Sequence, residues 1–197
     1  MNLNSCPSSL FKNVDGLGIN CDTENVYLNS TGIPDHKYLD PQGLIRDQQF
    51  HAQWPLNPIF EEKDWQDSCN FTTVFDLPNK PNDPNYLPIV GWALNGVPFF
   101  SPLSIDWVDP FYPIDGFEPE KLDGCVAHTQ STGEYHYHMM PPCLFGDDSN
   151  GDKPLESVGD AKEVALAGFE KVKTLIGFAY DGFPIYGPYD NDGNLHT

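Results

Sequence analysis

Apolar and polar residues alternate along this chain in short runs, cut by prolines and glycines every few positions. Asn25-Val26-Tyr27-Leu28 and Phe71-Thr72-Thr73-Val74-Phe75 read as strands, each bounded by Pro, Asn or Gly. Asn79-Lys80-Pro81-Asn82-Asp83-Pro84 reads as a surface connection. One segment has a helical period. Ala161, Val164, Ala165, Gly168, Phe169 and Val172 recur at i, i+3/4, i+7 spacing, and Ser157 with Asp160 resembles a capping box, which predicts a helix over about 160–173.

An internal repeat organises the rest. Residues 91–102 align with residues 177–188, an offset of 177 − 91 = 86. Each copy is an apolar run, then Asn95-Gly96 or Asp181-Gly182, then a second apolar run. Such a pair predicts a two-residue type I′ hairpin turn, with positive φ at its central residues. Asn95 and Asp181 are therefore read as turn formers, and Gly96 and Gly182 as positive-φ positions. After the first copy 197 − 102 = 95 residues follow, and after the second 197 − 188 = 9, so the chain is expected to stop inside its second repeat.

Composition supports this pattern. With 17 Gly and 19 Pro in 197 residues, the chain cannot be helix-rich. The expected fold is mainly β, a sandwich or barrel-like sheet assembly built on the two hairpins with one short helix, in a single domain over 1–197. Aromatics at 13% and apolar residues at 39% give it a core. Lys plus Arg is 10 against 29 Asp plus Glu, a net charge of −19, which argues against nucleic acid and anionic membranes as partners and leaves cations and basic partners. No apolar run approaches the ~18 residues of a membrane span, and Met1–Ser5 lacks the start of an export signal. Two glycosylation sequons, at Asn29 and Asn70, and five cysteines, at 6, 21, 69, 125 and 143, point to a mature secreted glycoprotein with disulfides. A cytosolic protein with reduced thiols is the alternative.

The chemistry concentrates in Cys125-Val126-Ala127-His128 and Glu134–Cys143. Side chains alternate on a strand, so His136 and His138 share one face, about 7 Å apart, while Tyr135 and Tyr137 take the other. His128, across a turn containing Gly133, is the third candidate ligand. Three imidazoles suit zinc or copper with a fourth position open to water or substrate. The competing reading is a Tyr/His ladder that packs without an ion, but three of the six histidines fall within eleven residues. Iron is set aside because no carboxylate stands beside the histidine pair in facial-triad spacing. Glu134 is the first general-base candidate, or else an exposed turn residue. Met139 and Met140 are soft donors for copper or core fillers. Cys125 is either a thiolate ligand, by its Cys-x-x-His spacing, or the disulfide partner of Cys143, which is preferred. Cys6–Cys21 is the next pair, and Cys69 has no assigned partner. The acidic turns Asp147–Asp152 and Asp190–Asn194 suggest calcium. Aligning Gly151 or Gly193 with the invariant loop glycine puts Gly146 or Pro188 at the first ligand position, so solvated turns fit better. No Gly-rich phosphate loop or Gly-x-Ser-x-Gly elbow occurs.

Gly133-Glu134-Tyr135-His136-Tyr137-His138 resembles the signature of the YHYH-domain family. The resemblance extends to Thr31–His36, to Asn95-Gly96-Val97-Pro98, to Cys125-x-x-His128 and to Ile176–Gly187, about residues 25–190 in all. It implies a secreted, β-rich domain and no particular activity. Members carry the hairpin twice, and often a further histidine-containing segment that has no counterpart here. They usually have a polar or glycine-rich stretch where this chain has Val126-Ala127. The resemblance also makes His36 a reserve ligand, against its reading as a turn histidine after Pro34. The expected function is an extracellular copper- or zinc-binding domain using His128, His136 and His138. The alternatives are an acidic matrix or adhesion module that binds a glycan, a protein or calcium, and a metal-dependent hydrolase or oxidase.

Overall fold

The computed structural model describes residues 5–59, 88–104, 106, 108–146 and 148–196. The strand predicted at 71–75, the connection at 79–84, the Asn70 sequon, Cys69 and Asp147 lie outside the described residues. Within them the protein is mainly β. Strands β1 (Leu17–Cys21), β2 (Asn25–Ser30) and β3 (Phe50–Pro55) form an antiparallel sheet in that order. Strands β4 (Ile89–Ala93), β5 (Pro98–Phe100), β6 (Ala127–Thr129), β7 (Tyr135–Tyr137), β8 (Leu175–Ala179) and β9 (Pro184–Tyr186) form a second sheet, in the order β6-β7-β5-β4-β8-β9. All of its pairings are antiparallel except β5 with β7. The sheets pack rather than closing into a barrel.

The sequence repeat becomes a local two-fold. β4 and β8, the first strands of the two copies, pair antiparallel with the equivalent residues Trp92 and Phe178 opposite each other. Gly91 and Gly177 allow this approach: a Cβ at Gly91 would lie 2.6 Å from the Phe178 carbonyl oxygen, and one at Gly177 2.2 Å from that of Trp92. Trp92, Leu94 and Phe178 pack with Val26, Leu28, Ala52 and Trp54 of the small sheet, with Phe11 stacked on Phe178. Another apolar cluster gathers Ala93, Phe99, Ala127, Tyr135, Tyr137 and Ile176 with Leu144 and Phe169.

The hairpin turns depart from expectation in type. Gly96 N–H donates to Ala93 O and Ala93 N–H to Val97 O, and the second copy repeats this with Gly182, Ala179 and Phe183. These are three-residue loops, a type I turn followed by a glycine bulge, in place of two-residue type I′ turns. Gly96 and Gly182 have φ of 81° and 87°, and neither Asn95 nor Asp181 has positive φ. Their side chains instead accept from the N–H of Val97 and Phe183, which stabilises the ordinary turn conformation. The β6–β7 hairpin uses the same loop, with Gly133 (φ 100°) as its bulge.

The helix is shorter than predicted. α1 spans Ala161–Ala167, after a 3₁₀ turn at Val158–Asp160. Ser157 accepts from the N–H of Gly159, and Asp160 makes no side-chain cap, so the expected capping box is absent. The helix stops where Gly168 meets Pro142, since a Cβ there would sit 2.3 Å from the Pro142 Cα. Phe169 then turns into the core against Phe145.

Candidate metal centre

β6 and β7 place the histidines. In their register His128 lies directly opposite His136, while His138 follows the end of β7 and returns to the same face. The Nε2 atoms converge: His138 Nε2 is 3.1 Å from His136 Nε2 and 3.3 Å from His128 Nε2. Two nitrogens bound at 2.0–2.1 Å to one tetrahedral ion stand about 3.3 Å apart. The opposite ring nitrogens are tied to carbonyls, His138 Nδ1 to Ser101 O at 2.9 Å and His136 Nδ1 to Glu134 O at 3.2 Å. A carbonyl only accepts, so each Nδ1 carries the proton and each Nε2 turns its lone pair inward, the tautomer a metal requires. Burial, reinforced by the neighbouring His128 and His138, pushes His136 well below the usual histidine range and keeps it neutral. Phe100 stacks on its ring at 3.9 Å.

A carboxylate completes the group. Glu120 Oε2 lies 2.7 Å from His128 Nε2 and 3.2 Å from His138 Nε2. That oxygen is sealed from solvent and makes no well-formed hydrogen bond among the described residues. Burial alone would raise this carboxyl; a proton on Nε2 of His128 or His138 outweighs burial and holds the group below the usual range, the part that a cation would otherwise play. One donor atom from each of Glu120, His128, His136 and His138 lies within 4.8 Å of the others, a group able to hold a metal ion. Iron is thus no longer set aside on that ground: contrary to expectation, a carboxylate does stand beside the histidines, brought from eight residues before His128. Nothing in the sequence marked it, because it belongs to an irregular loop with neither period nor motif.

The tyrosines occupy the opposite face, as alternation requires. Tyr137 donates its hydroxyl hydrogen to His36 Nε2 at 2.6 Å and accepts from Asn95 Nδ2 at 3.0 Å, and His36 Nδ1–H donates to Lys37 O. His36 is thus apart from the other three histidines, packed beside Tyr135, Tyr137 and Cys125. Asn95 also bonds Asp35, which pairs with Lys12. Tyr135 donates to Asp123, whose carboxylate also accepts from Cys125 and Ala127 N–H. Burial pushes the Asp123 carboxyl up to about 6 against the pull of those bonds.

Cys125–Cys143 and Cys6–Cys21 are disulfides. Cys125 therefore has no thiolate to offer, which removes its ligand reading; the cluster of His36, Cys125 and Cys143 lacks donors for the same reason. Glu134 is held by Thr132 in the turn, and its contribution to the cluster is a backbone carbonyl. Met139 and Met140 pack against apolar clusters. Asn29 is exposed on the outer face of β2, bonded to His51. In the second acidic turn Asp190 accepts from Asp192 and Asn194 N–H, as a self-closing turn does.

The family model described as YHYH protein matches residues 76–196, the larger part of the chain, including both hairpins, Glu120 and the three clustered histidines. Thr31–His36 falls outside the matched range. No curated protein and no solved structure matches the chain.

Proposed function

The chain belongs to the YHYH protein family, and on that footing we propose that it is an extracellular domain binding one divalent transition metal ion through Nε2 of His128, His136 and His138 and the carboxylate of Glu120. The observation that carries this reading is the convergence of three Nε2 atoms, with His138 Nε2 at near-tetrahedral spacing from each of the other two and with Nδ1 of His136 and His138 tied back to carbonyls. A buried carboxylate oxygen without a proper donor, facing imidazole nitrogens, is the complement of a missing positive charge. Three nitrogens and one oxygen suit zinc and copper, and copper heads the affinity order for such a site. Iron returns as a competitor through Glu120. When bound, a redox-inert ion would act as a Lewis acid and copper or iron would add electron transfer; a metal-dependent hydrolase or oxidase is the alternative that would use this chemistry. The two disulfides support an extracellular setting.

Elemental analysis of protein purified without added metal, followed by X-ray absorption at the edge of the metal found, tests the reading. One equivalent of copper, zinc or iron with three nitrogen neighbours and one oxygen supports it. Calcium alone, or no metal after exposure to equimolar Cu²⁺ and Zn²⁺, would favour the matrix-module alternative.

A further inference from the structure

Resting on that reading, we infer that the four donors are of two kinds: the three imidazoles form a fixed cradle, and the Glu120 carboxylate is a displaceable fourth donor whose place a small exogenous monoanion takes. The class meant is an oxygen- or nitrogen-donor anion of carboxylate size.

The first ground is where each donor is mounted. His128 and His136 face each other across a strand pair, and His138 is pinned one residue beyond it by Ser101 O. The disulfide at Cys125 and the bonds of Asp123 to Cys125 and Ala127 brace the approach to His128. Glu120 has no such mounting. It lies in the stretch between β5 and β6, which forms no helix or strand among the described residues. Among the described residues its backbone is held by one hydrogen bond, Glu120 N–H to Pro110 O at 2.9 Å, and the loop it closes includes Gly116 at φ 97° and the exposed residues Tyr112, Ile114 and Phe117.

The second ground is access. His136 is fully buried and the His138 side chain is 3% exposed, whereas those of His128 and Glu120 are 22% and 18% exposed. Solvent therefore comes nearest to the cluster on the side of His128 and Glu120, where the Glu120 side chain covers the donors and its own Oε2, so an arriving ligand gains the position when that side chain swings aside. Charge gives the third ground. With Glu120 bound, a divalent ion keeps one net positive charge; with Glu120 withdrawn it keeps two, and a monoanion restores what the carboxylate supplied. The overall charge of −19 works most strongly against multiply charged anions at long range, which favours a monoanion.

Cobalt-substituted protein, whose visible spectrum reports coordination, provides the test, with azide and then acetate titrated into the full chain, into Glu120→Ala and into Glu120→Gln. All three proteins should take up one equivalent of Co²⁺. If Glu120 holds the fourth position about nine-tenths of the time in the parent, azide should bind Glu120→Ala about 10-fold more tightly than the parent, with acetate following the same order. Glu120→Gln keeps the side chain's shape and should lie between them. Equal azide affinity in parent and Glu120→Ala would show that Glu120 does not compete for the position. Loss of Co²⁺ from both variants at unchanged melting temperature would make Glu120 a fixed ligand. Either result overturns the inference while the metal reading stands. A parent that takes up no Co²⁺ overturns both.

Discussion

At the scale of single residues, the approach to His128 is held in an unfavourable conformation. Val126 is the one non-glycine with positive φ among the described residues (59°), and it is β-branched and fully buried. Such a conformation costs ~1–3 kcal/mol and persists where its surroundings over-determine it. Here Val126 N–H bonds Asp123 O, the flanking Cys125 and Ala127 N–H groups bond the Asp123 carboxylate, and Cys125 is cross-linked. Glycine or asparagine is what that backbone favours, and Val126 is tolerated by bracing. Asp123 has its folded pKa raised to about 6, above its unfolded value, so its contribution is present at low pH and lost as pH rises through 6. Relative to Asp123→Asn, the parent should therefore gain about 1 kcal/mol between pH 7.5 and pH 5. Urea titrations of the two proteins at those pH values measure it, and a gap independent of pH would contradict it. Tyr137→Phe removes a hydroxyl bonded to His36 and Asn95, on the face away from the cluster. It should cost ~1–3 kcal/mol of stability and leave metal content unchanged by elemental analysis. A parallel fall in metal content would mean that the two faces are coupled.

At the scale of elements, the positive-φ glycines are the points where the chain has least freedom. Gly182→Val would force a branched residue to φ 87° and set its Cβ 2.5 Å from the Pro55 carbonyl oxygen, a loss of ~2 kcal/mol or more by strain and overpacking together. Thermal unfolding checks this, and a variant as stable as the parent would contradict it. The repeat was legible because it is written in residues that make turns, and alternation along Tyr135–His138 correctly separated histidines from tyrosines. The turn type was not legible, since Asn-Gly and Asp-Gly serve a type I turn with a glycine bulge as readily as a type I′ turn. The helix end was hidden in part because Gly168, which follows it, lies against Pro142, a residue 26 positions away in sequence that no local pattern reveals. Glu120 was invisible for a related reason: only the path of an irregular loop brings it to the histidines.

At the scale of the whole molecule, the sheet carries two chemistries back to back. One face of β7 turns His136 toward a cluster suited to a cation; the other holds Tyr135 and Tyr137 in hydrogen bonds to Asp123, His36 and Asn95 beside a disulfide. Metal affinity should weaken as pH falls, because protons compete with the ion for the imidazole lone pairs; titration calorimetry with Zn²⁺ at pH 7.5 and pH 5.5 reads this directly, and equal affinities would contradict it. The most direct test of the central claim is the metal-to-protein ratio of the parent beside His128→Ala, His136→Ala and His138→Ala, each exposed to one equivalent of metal at pH 7.5 and desalted. Three imidazoles converging on one ion predict a ratio near one for the parent and a sharp loss in every variant, because two imidazoles hold an ion far less tightly than three. Equal ratios in all four proteins would contradict the claim and leave the histidines as packing residues of the sheet.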